Sequence, residues 1–296
     1  LGGNHPTPGS DIEIFRAVAD GENIIQIGED VKSGSVILPG GCRIRPAEVG
    51  GLMALGITQI SVAVKPKIGL ISSGDEIIDP FKQTQPGQVR DINAYTLASL
   101  VTKTGGEAIL YGIVPDVRSE LESVARRALN ECDVVVITAG SSASTRDMTA
   151  DVIASLGAPG VLVHGINTRP GKPTILGVCD GKAVIGLPGN PVSALVNGYL
   201  FVVPIIEKLL GETPRPRPVI AAKLTVNLPS QAGREDWIPV KLLSQQGSAG
   251  SQTYHAEPIF GKSNLIFTLT AADGLLRIPP DVTGYGAGEM AEIVLF

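Results

Sequence analysis

From Lys67 onward the apolar positions alternate between short runs and helix-spaced segments. Ile68-Gly-Leu-Ile-Ser72 is a short apolar run, and residues 108–114 form a second. Between them, 94–103 puts Leu97, Leu100 and Val101 at helical spacing and stops at Gly105-Gly106. Residues 117–129 place Leu121, Val124, Ala125 and Ala128 on one helical face. Asp133-Val-Val-Val-Ile-Thr138 has no polar alternation, the pattern of a strand buried on both faces. A helix over 147–156 ends at Gly157, and strands follow at 174–177 and 183–186. An apolar helical stretch covers 192–210, where Pro204 predicts a kink or a division. This alternation predicts an α/β fold: a central, mostly parallel sheet with flanking helices.

The flanks read differently. Residues 1–30 are mixed and polar. The run 36–39 predicts a strand, 46–56 a helix with Pro46 in its first turn and Gly56 at its end, and 60–64 a half-buried strand. This predicts a partial, β-rich N-terminal region. Pro214-Arg-Pro-Arg-Pro218 reads as an extended linker. Beyond it, short apolar runs separated by Gly, Pro and Asp predict a small C-terminal β domain. The predicted domains are therefore 1–64, 65–213 and 214–296.

Composition narrows the picture. A length of 296 residues suits two domains, or one with satellites. The chain is 43% hydrophobic and only 4% aromatic, so its core must be built from Val, Ile, Leu and Ala. A net charge of -5 speaks against a nucleic-acid-binding surface but leaves room for a local basic pocket that takes a small anion. The absence of an uninterrupted run of about 18 apolar residues predicts no membrane span. Cys42, Cys132 and Cys179 are too widely spaced for a zinc pattern or a disulfide framework, which predicts a reducing, cytoplasmic setting. The start at Leu1-Gly-Gly-Asn has no Met and no signal-peptide pattern, so the chain is expected to begin partway through a longer protein.

Ligands of such sheets sit beyond the carboxyl ends of the strands. Five polar or glycine-rich loops are expected to meet there. Ser73-Gly74-Asp75-Glu76, Asp116 and Asp147 bring carboxylates, which repel one another unless a cation sits between them; oxygen ligands of this kind suit Mg²⁺. Each of these residues taken singly also reads as a helix cap or turn former. Gly140, Ser141 and Ser142 follow the most buried strand and suit an anion at a helix N-terminus, or an ordinary turn. This loop is neither a G-x-G-x-x-G fingerprint nor a Walker A loop. Arg169-Pro-Gly-Lys172-Pro sets two cations on a stiff turn suited to an oxyanion, and Leu187-Pro188-Gly189-Asn-Pro191 is equally stiff. His5, His164 and His255 lack metal-site spacing; His164 precedes the Arg169 loop and reads as structural or substrate-contacting. The serines lack a base partner, and Trp237 reads as packing.

These motifs occur in a telling order. Ser73-Gly-Asp-Glu76, Asp91-Ile-Asn93, the Asp133 to Ser142 strand and loop with Asp147, Pro170-Gly-Lys-Pro173 and Leu187-Pro-Gly-Asn-Pro-Val-Ser193 together resemble the molybdopterin molybdenumtransferase family, of the MoeA and gephyrin E-domain type. Gly28-Glu-Asp30 fits the same pattern. The resemblance implies insertion of molybdenum from molybdate into adenylylated molybdopterin, with release of AMP and use of Mg²⁺. It implies catalytic roles for Glu76, Asp116, Asp147 and Lys172, with Glu76 and Asp147 on the metal. It also implies substrate contacts by Asp30, Ser73, Gly74, Asp75, Asp91, Asn93, Gly140, Ser141, Ser142, Arg169, Pro188, Gly189 and Pro191. The partners implied are the two substrates and, in the full-length protein, a second copy; no nucleic acid or membrane is expected. Two departures stand out: Arg169 replaces the usual Lys, and Ala139-Gly-Ser-Ser-Ala-Ser144 replaces the family's Gly-Gly-Val-Ser-Val-Gly. The family's Asp-Gly-Tyr-Ala segment is also missing, so residues 31–64 are expected to be only part of its first domain. A molybdopterin adenylyltransferase, a CinA-like nucleotide hydrolase and a non-catalytic gephyrin-like scaffold are the alternatives. The first two share the Gly-Asp-Glu and Gly-Ser loops but not the Leu-Pro-Gly-Asn-Pro turn or the β domain.

Overall fold

A computed structural model describes residues 9, 11, 15–140, 143–246 and 252–296. The chain divides into two units, Leu1–Ile57 and Thr58–Phe296. The first contains one helix among its described residues, α1 (Pro46–Ala54). Pro46 opens it, where a missing N–H costs nothing, and Gly56 closes the turn after it at φ +72°. The Glu48 carboxylate accepts the Arg45 backbone N–H at 2.9 Å and its guanidinium Nε at 3.0 Å. That hydrogen bonding to Arg45 holds the Glu48 carboxyl down at about 2. No strand forms among the described residues of this unit. The predicted strand at 36–39 is irregular backbone with Val36 81% exposed, because no partner lies beside it to complete a ladder.

The second unit starts with another correction. Residues 60–64 form no strand; Ile60, Val62 and Val64 are all exposed. The main sheet begins at β1 (Lys67–Ser73). A two-residue parallel ladder, β2 (Ile77–Ile78) with β3 (Val89–Arg90), leads to α2 (Asn93–Thr104), which Gly105 ends in left-handed backbone. Next come β4 (Glu107–Val114), α3 (Arg118–Glu131), β5 (Val134–Ala139) and α4 (Ala143–Leu156). Helix α4 starts four residues before the predicted 147, which shortens the loop behind β5. The chain continues through β6 (Pro159–His164), β7 (Thr168–Arg169), β8 (Ile175–Cys179) and β9 (Lys182–Pro188). Strand order is β4-β1-β5-β9-β8-β6; the first four are parallel, while β8 and β6 run antiparallel at one edge.

Both faces of this sheet are covered. Along β5, Val134 and Val136 pack with Leu97, Leu100, Val202 and Ile206 on one side. Val135 and Ile137 pack with Leu121, Ala125, Val152 and Ile153 on the other. Two-sided burial is why the strand carries no polar alternation. The apolar stretch after β9 is three elements: α5 (Pro191–Asn197), a π-helical turn (Gly198–Val202) and α6 (Val203–Leu209). Pro204 falls in the first turn of α6, where it needs no N–H partner, and the stretch is divided just ahead of it by the wide turn, as the proline predicts. This 19-residue helical run has a mean hydropathy of 1.5, high enough for a membrane span by composition, yet half of it is buried in this core. The Cys132 and Cys179 thiols are buried and unpaired, and burial pushes both pKa values up.

The C-terminal lobe comprises β10 (Val219–Leu224), β11 (Leu228–Pro229), β12 (Glu235–Gln246), β13 (Gln252–Pro258), α7 (Phe267–Thr270), β14 (Gly274–Ile278), β15 (Gly284–Tyr285) and β16 (Met290–Leu295). The order β13-β10-β16-β14-β12 closes by pairing β12 with β13, giving a small barrel around Leu224, Val240, Leu276, Ile278 and Ile293. An apolar seam joins the lobes: Val192 and Val196 of α5 meet Leu269, Leu275 and Trp237 of the barrel lobe.

Candidate functional site

The carboxyl ends of β1, β4, β5 and β9 form one edge, and short hydrogen bonds lace its loops together. Buried Ser73 donates its Oγ to Asp116 Oδ1 at 2.9 Å, and the Asp116 N–H donates to Asp75 Oδ1 at 3.1 Å. The Gly74 N–H donates to the Val114 carbonyl at 3.2 Å. Asp91, also buried, caps α2 by accepting the Ala94 N–H at 3.1 Å. Asn93 donates Nδ2 to the Gly189 carbonyl at 2.8 Å, while its buried Oδ1 is unpaired. Gly189 lies so close to the end of β5 that a Cβ would stand 2.8 Å from the Ala139 carbonyl and 3.3 Å from Gly140 Cα. Pro188 pairs with Ala139, and Pro191 opens α5. Asp75 and Glu76 are exposed beside this network, and Asp147 is exposed on the second turn of α4. Ser141 and Ser142 lie outside the described residues. Asp30 is an exposed residue of the other unit.

The Arg169 loop does not sit on the edge with the others. Strand β7 leaves the main sheet and pairs with β12 of the barrel, Thr168 opposite Glu235 and Arg169 opposite Asp236. Thr168 Oγ1 also donates to the Glu235 carbonyl at 3.0 Å, and Asn167 Nδ2 donates to the Gly233 carbonyl. The loop thus becomes the floor of a cleft of about 940 Å³ between the lobes. Arg169, Lys172, Pro188 and Ser193 line it from the α/β lobe, and Arg234 and Lys262 from the barrel. Pro188 and Asn190 wall this cleft and also belong to the turn at the sheet edge. The barrel residues were not among the predicted ones. Their only trace in the sequence is the polar Gly233-Arg-Glu-Asp turn ahead of Trp237.

Arg234 is held firmly. Asp236, 1% exposed, accepts its Nε at 2.6 Å and a terminal nitrogen at 2.9 Å, and takes a third bond from Ser230 Oγ at 3.0 Å. The carboxylate pushes the Arg234 pKa further up, from a side chain that is already always charged. Asp236 also lines the cleft and offsets the charge of Arg234, so the positive charge offered to an oxyanion comes from Arg169, Lys172 and Lys262. Among the described residues, no group of three or more His, Cys, Asp or Glu side chains is arranged to hold a metal ion. A donor set of one or two carboxylates fits Mg²⁺ only in its common mode, shared with substrate phosphates. His164 is exposed at the end of the edge strand β6.

A doubly covered α/β sheet with polar loops at its carboxyl edge, joined through a cleft to a small barrel, defines an α/β-domain protein with an appended β domain. Comparison with known proteins agrees across the chain: a family described as probable molybdopterin binding domain matches residues 69–208, the MoeA C-terminal region (domain IV) matches 221–296, and the MoeA N-terminal region (domain I and II) matches 5–56. A molybdopterin molybdenumtransferase of Haemophilus influenzae is 35% identical over 88% of the chain, and molybdopterin molybdenumtransferase 2 of Mycobacterium tuberculosis 30% over 95%. The structure of a molybdopterin biosynthesis moeA protein from Pyrococcus horikoshii superposes with a TM-score of 0.76 at 35% identity, covering 96% of this chain and 67% of that one. The chain belongs to the molybdopterin molybdenumtransferase family. It spans 66% and 69% of the two curated relatives' lengths.

Proposed function

We propose that this chain carries out the molybdenum-inserting step of molybdenum cofactor biosynthesis: molybdate and adenylylated molybdopterin enter, AMP leaves, and molybdenum ends on the two dithiolene sulfurs. The observation that carries this reading is the cleft, which Arg169 and Lys172 line from one lobe and Lys262 from the other. Two turns built around proline hold it, so the cations are placed before the anion arrives, which reduces the ordering cost of binding. In this reading Lys172 and Arg169 bind the oxyanion, Asp116 and Asp75 fix the β1 and β4 loops around the phosphate, and Gly189 lets the turn after β9 pack against the end of β5. Glu76 and Asp147 would supply the carboxylate ligands of a magnesium ion, which neutralises charge on the adenylate phosphates when bound. A cytoplasmic homodimer is part of the same reading, drawn from the family.

AMP release from adenylylated molybdopterin with Mg²⁺, with and without molybdate, tests the proposal. Molybdate-stimulated release is expected from this chain or from the chain extended to its relatives' length. Lys172→Ala should raise the molybdate KM about tenfold or more, since a lost bond to a charged group is worth about 1.5–3 kcal/mol. Folded protein of both lengths that releases no AMP would overturn the assignment.

A further inference from the structure

Asn197 lies outside the cleft, at the carboxyl end of α5, yet it touches the cation loop. It is fully buried. Its Nδ2 donates to the Ser193 carbonyl one turn back at 2.7 Å and to the Pro170 carbonyl of the loop at 3.3 Å. Its amide fills the space a side chain at Gly171 would take: a Cβ there would stand 1.7 Å from Nδ2, 2.6 Å from Cγ and 3.0 Å from Oδ1. Gly171 has φ +102°, so the loop turns into left-handed backbone at the point where the amide presses on it. The far side of the loop is tied independently. Thr174 Oγ1 donates to the Gly171 carbonyl at 2.8 Å, and the Ile166 N–H donates to the Lys172 carbonyl at 2.9 Å.

Two features say that Asn197 is there for the loop rather than for the helix. Its Oδ1 is buried without a partner, a cost that an apolar residue would avoid if packing were the only duty. The π-helical turn also begins at the next residue, Gly198, and turns of this kind gather at functional sites. We propose that Asn197 is a positioning residue, clamping Pro170 and Gly171 so that Arg169 and Lys172 face the oxyanion. It does not touch substrate. This inference rests on the proposed function for the identity of the anion but not for the clamp itself.

Two variants of the full chain separate a clamp from a structural role. Asn197→Ala removes both bonds. Asn197→Thr keeps a hydroxyl that reaches the Ser193 carbonyl within the helix but is too short for Pro170. If Asn197 acts through the loop, both variants raise the molybdate KM about tenfold with kcat within about twofold, and both speed amide exchange in residues 165–174 while exchange in β5 stays slow. If Asn197 only supports the helix, Thr restores both readouts and the inference is overturned. Unchanged loop exchange in both variants overturns it as well. Wild-type chain that neither releases AMP nor binds molybdate in calorimetry sinks the proposed function, and with it the anion named here; faster loop exchange in the two variants would still be read on its own for the clamp.

Discussion

At the residue scale the decisive contacts are between a charged group and the partner that aims it. Asp236 is the clearest case: a nearly inaccessible carboxylate with three hydrogen bonds, two of them from Arg234. Asp236→Asn keeps the shape but removes the charge and turns one acceptor into a donor facing a cation. A loss of about 2–3 kcal/mol in denaturant unfolding is expected, the usual worth of bonds to a charged group. An unchanged midpoint would show that Arg234 is held by something else. Residues of this kind were the least legible in the sequence. Arg169 and Lys172 stood out because two prolines and a glycine surround them. Arg234 and Asp236 sit in an unremarkable polar turn, and only the pairing of β7 with β12 brings them opposite the loop. Asn197 was invisible for a related reason: a lone amide in an apolar helix gives no sign of which loop lies above it.

At the scale of elements, the pattern was legible wherever an element's own period matches its burial and obscure where it depends on a neighbour. Strand β5 and helices α2 and α3 announce themselves, because period and burial coincide. The alternation at 60–64 promised a strand, but alternation describes a face and cannot supply a ladder partner. Conversely, β6 escaped notice because Pro159 and Gly160 read as a turn and leave only the three apolar residues 161–163, too short a run to stand out. Helix α1 is held from its own sequence, by Pro46 and by Glu48 bonded to Arg45, and this gives it a pH signature. A carboxylate whose folded pKa is depressed adds stability that is complete above its unfolded pKa, about 4.3, and is lost as pH falls through the folded value. For Glu48 that folded value is about 2. Its carboxyl resonance should therefore titrate near 2 in wild type and move up toward 4 in Arg45→Ala; a wild-type midpoint already near 4 would show the pair to be absent in solution.

At the scale of the whole second unit, the two lobes are joined by an apolar seam and by a strand that one lobe lends to the other. Trp237, the chain's one tryptophan, lies in that seam against Val192 and Val196, so its fluorescence reports the junction while far-UV circular dichroism reports both lobes. If the lobes fold as one cooperative body, the two probes should give coincident denaturant transitions after allowance for residues 1–57. A fluorescence midpoint well below the dichroism midpoint would mean that the lobes part before either unfolds. The sequence foretold a sheet and a β domain on either side of a proline linker, but it gave no hint of this junction. A two-residue strand such as β7 has no periodicity to read.

That loan has a bearing on inheritance. Modules that meet only through a linker can be lost, duplicated or exchanged between genes without harm to their neighbours. Here residues 168 and 169 are encoded within the α/β lobe but complete their hydrogen bonding in the barrel. A barrel transplanted from a distant relative would have to offer backbone in register with both, or the loop bearing the cations would hang from one end. The two halves are therefore bound to change together, and descent should have kept them as a single heritable piece.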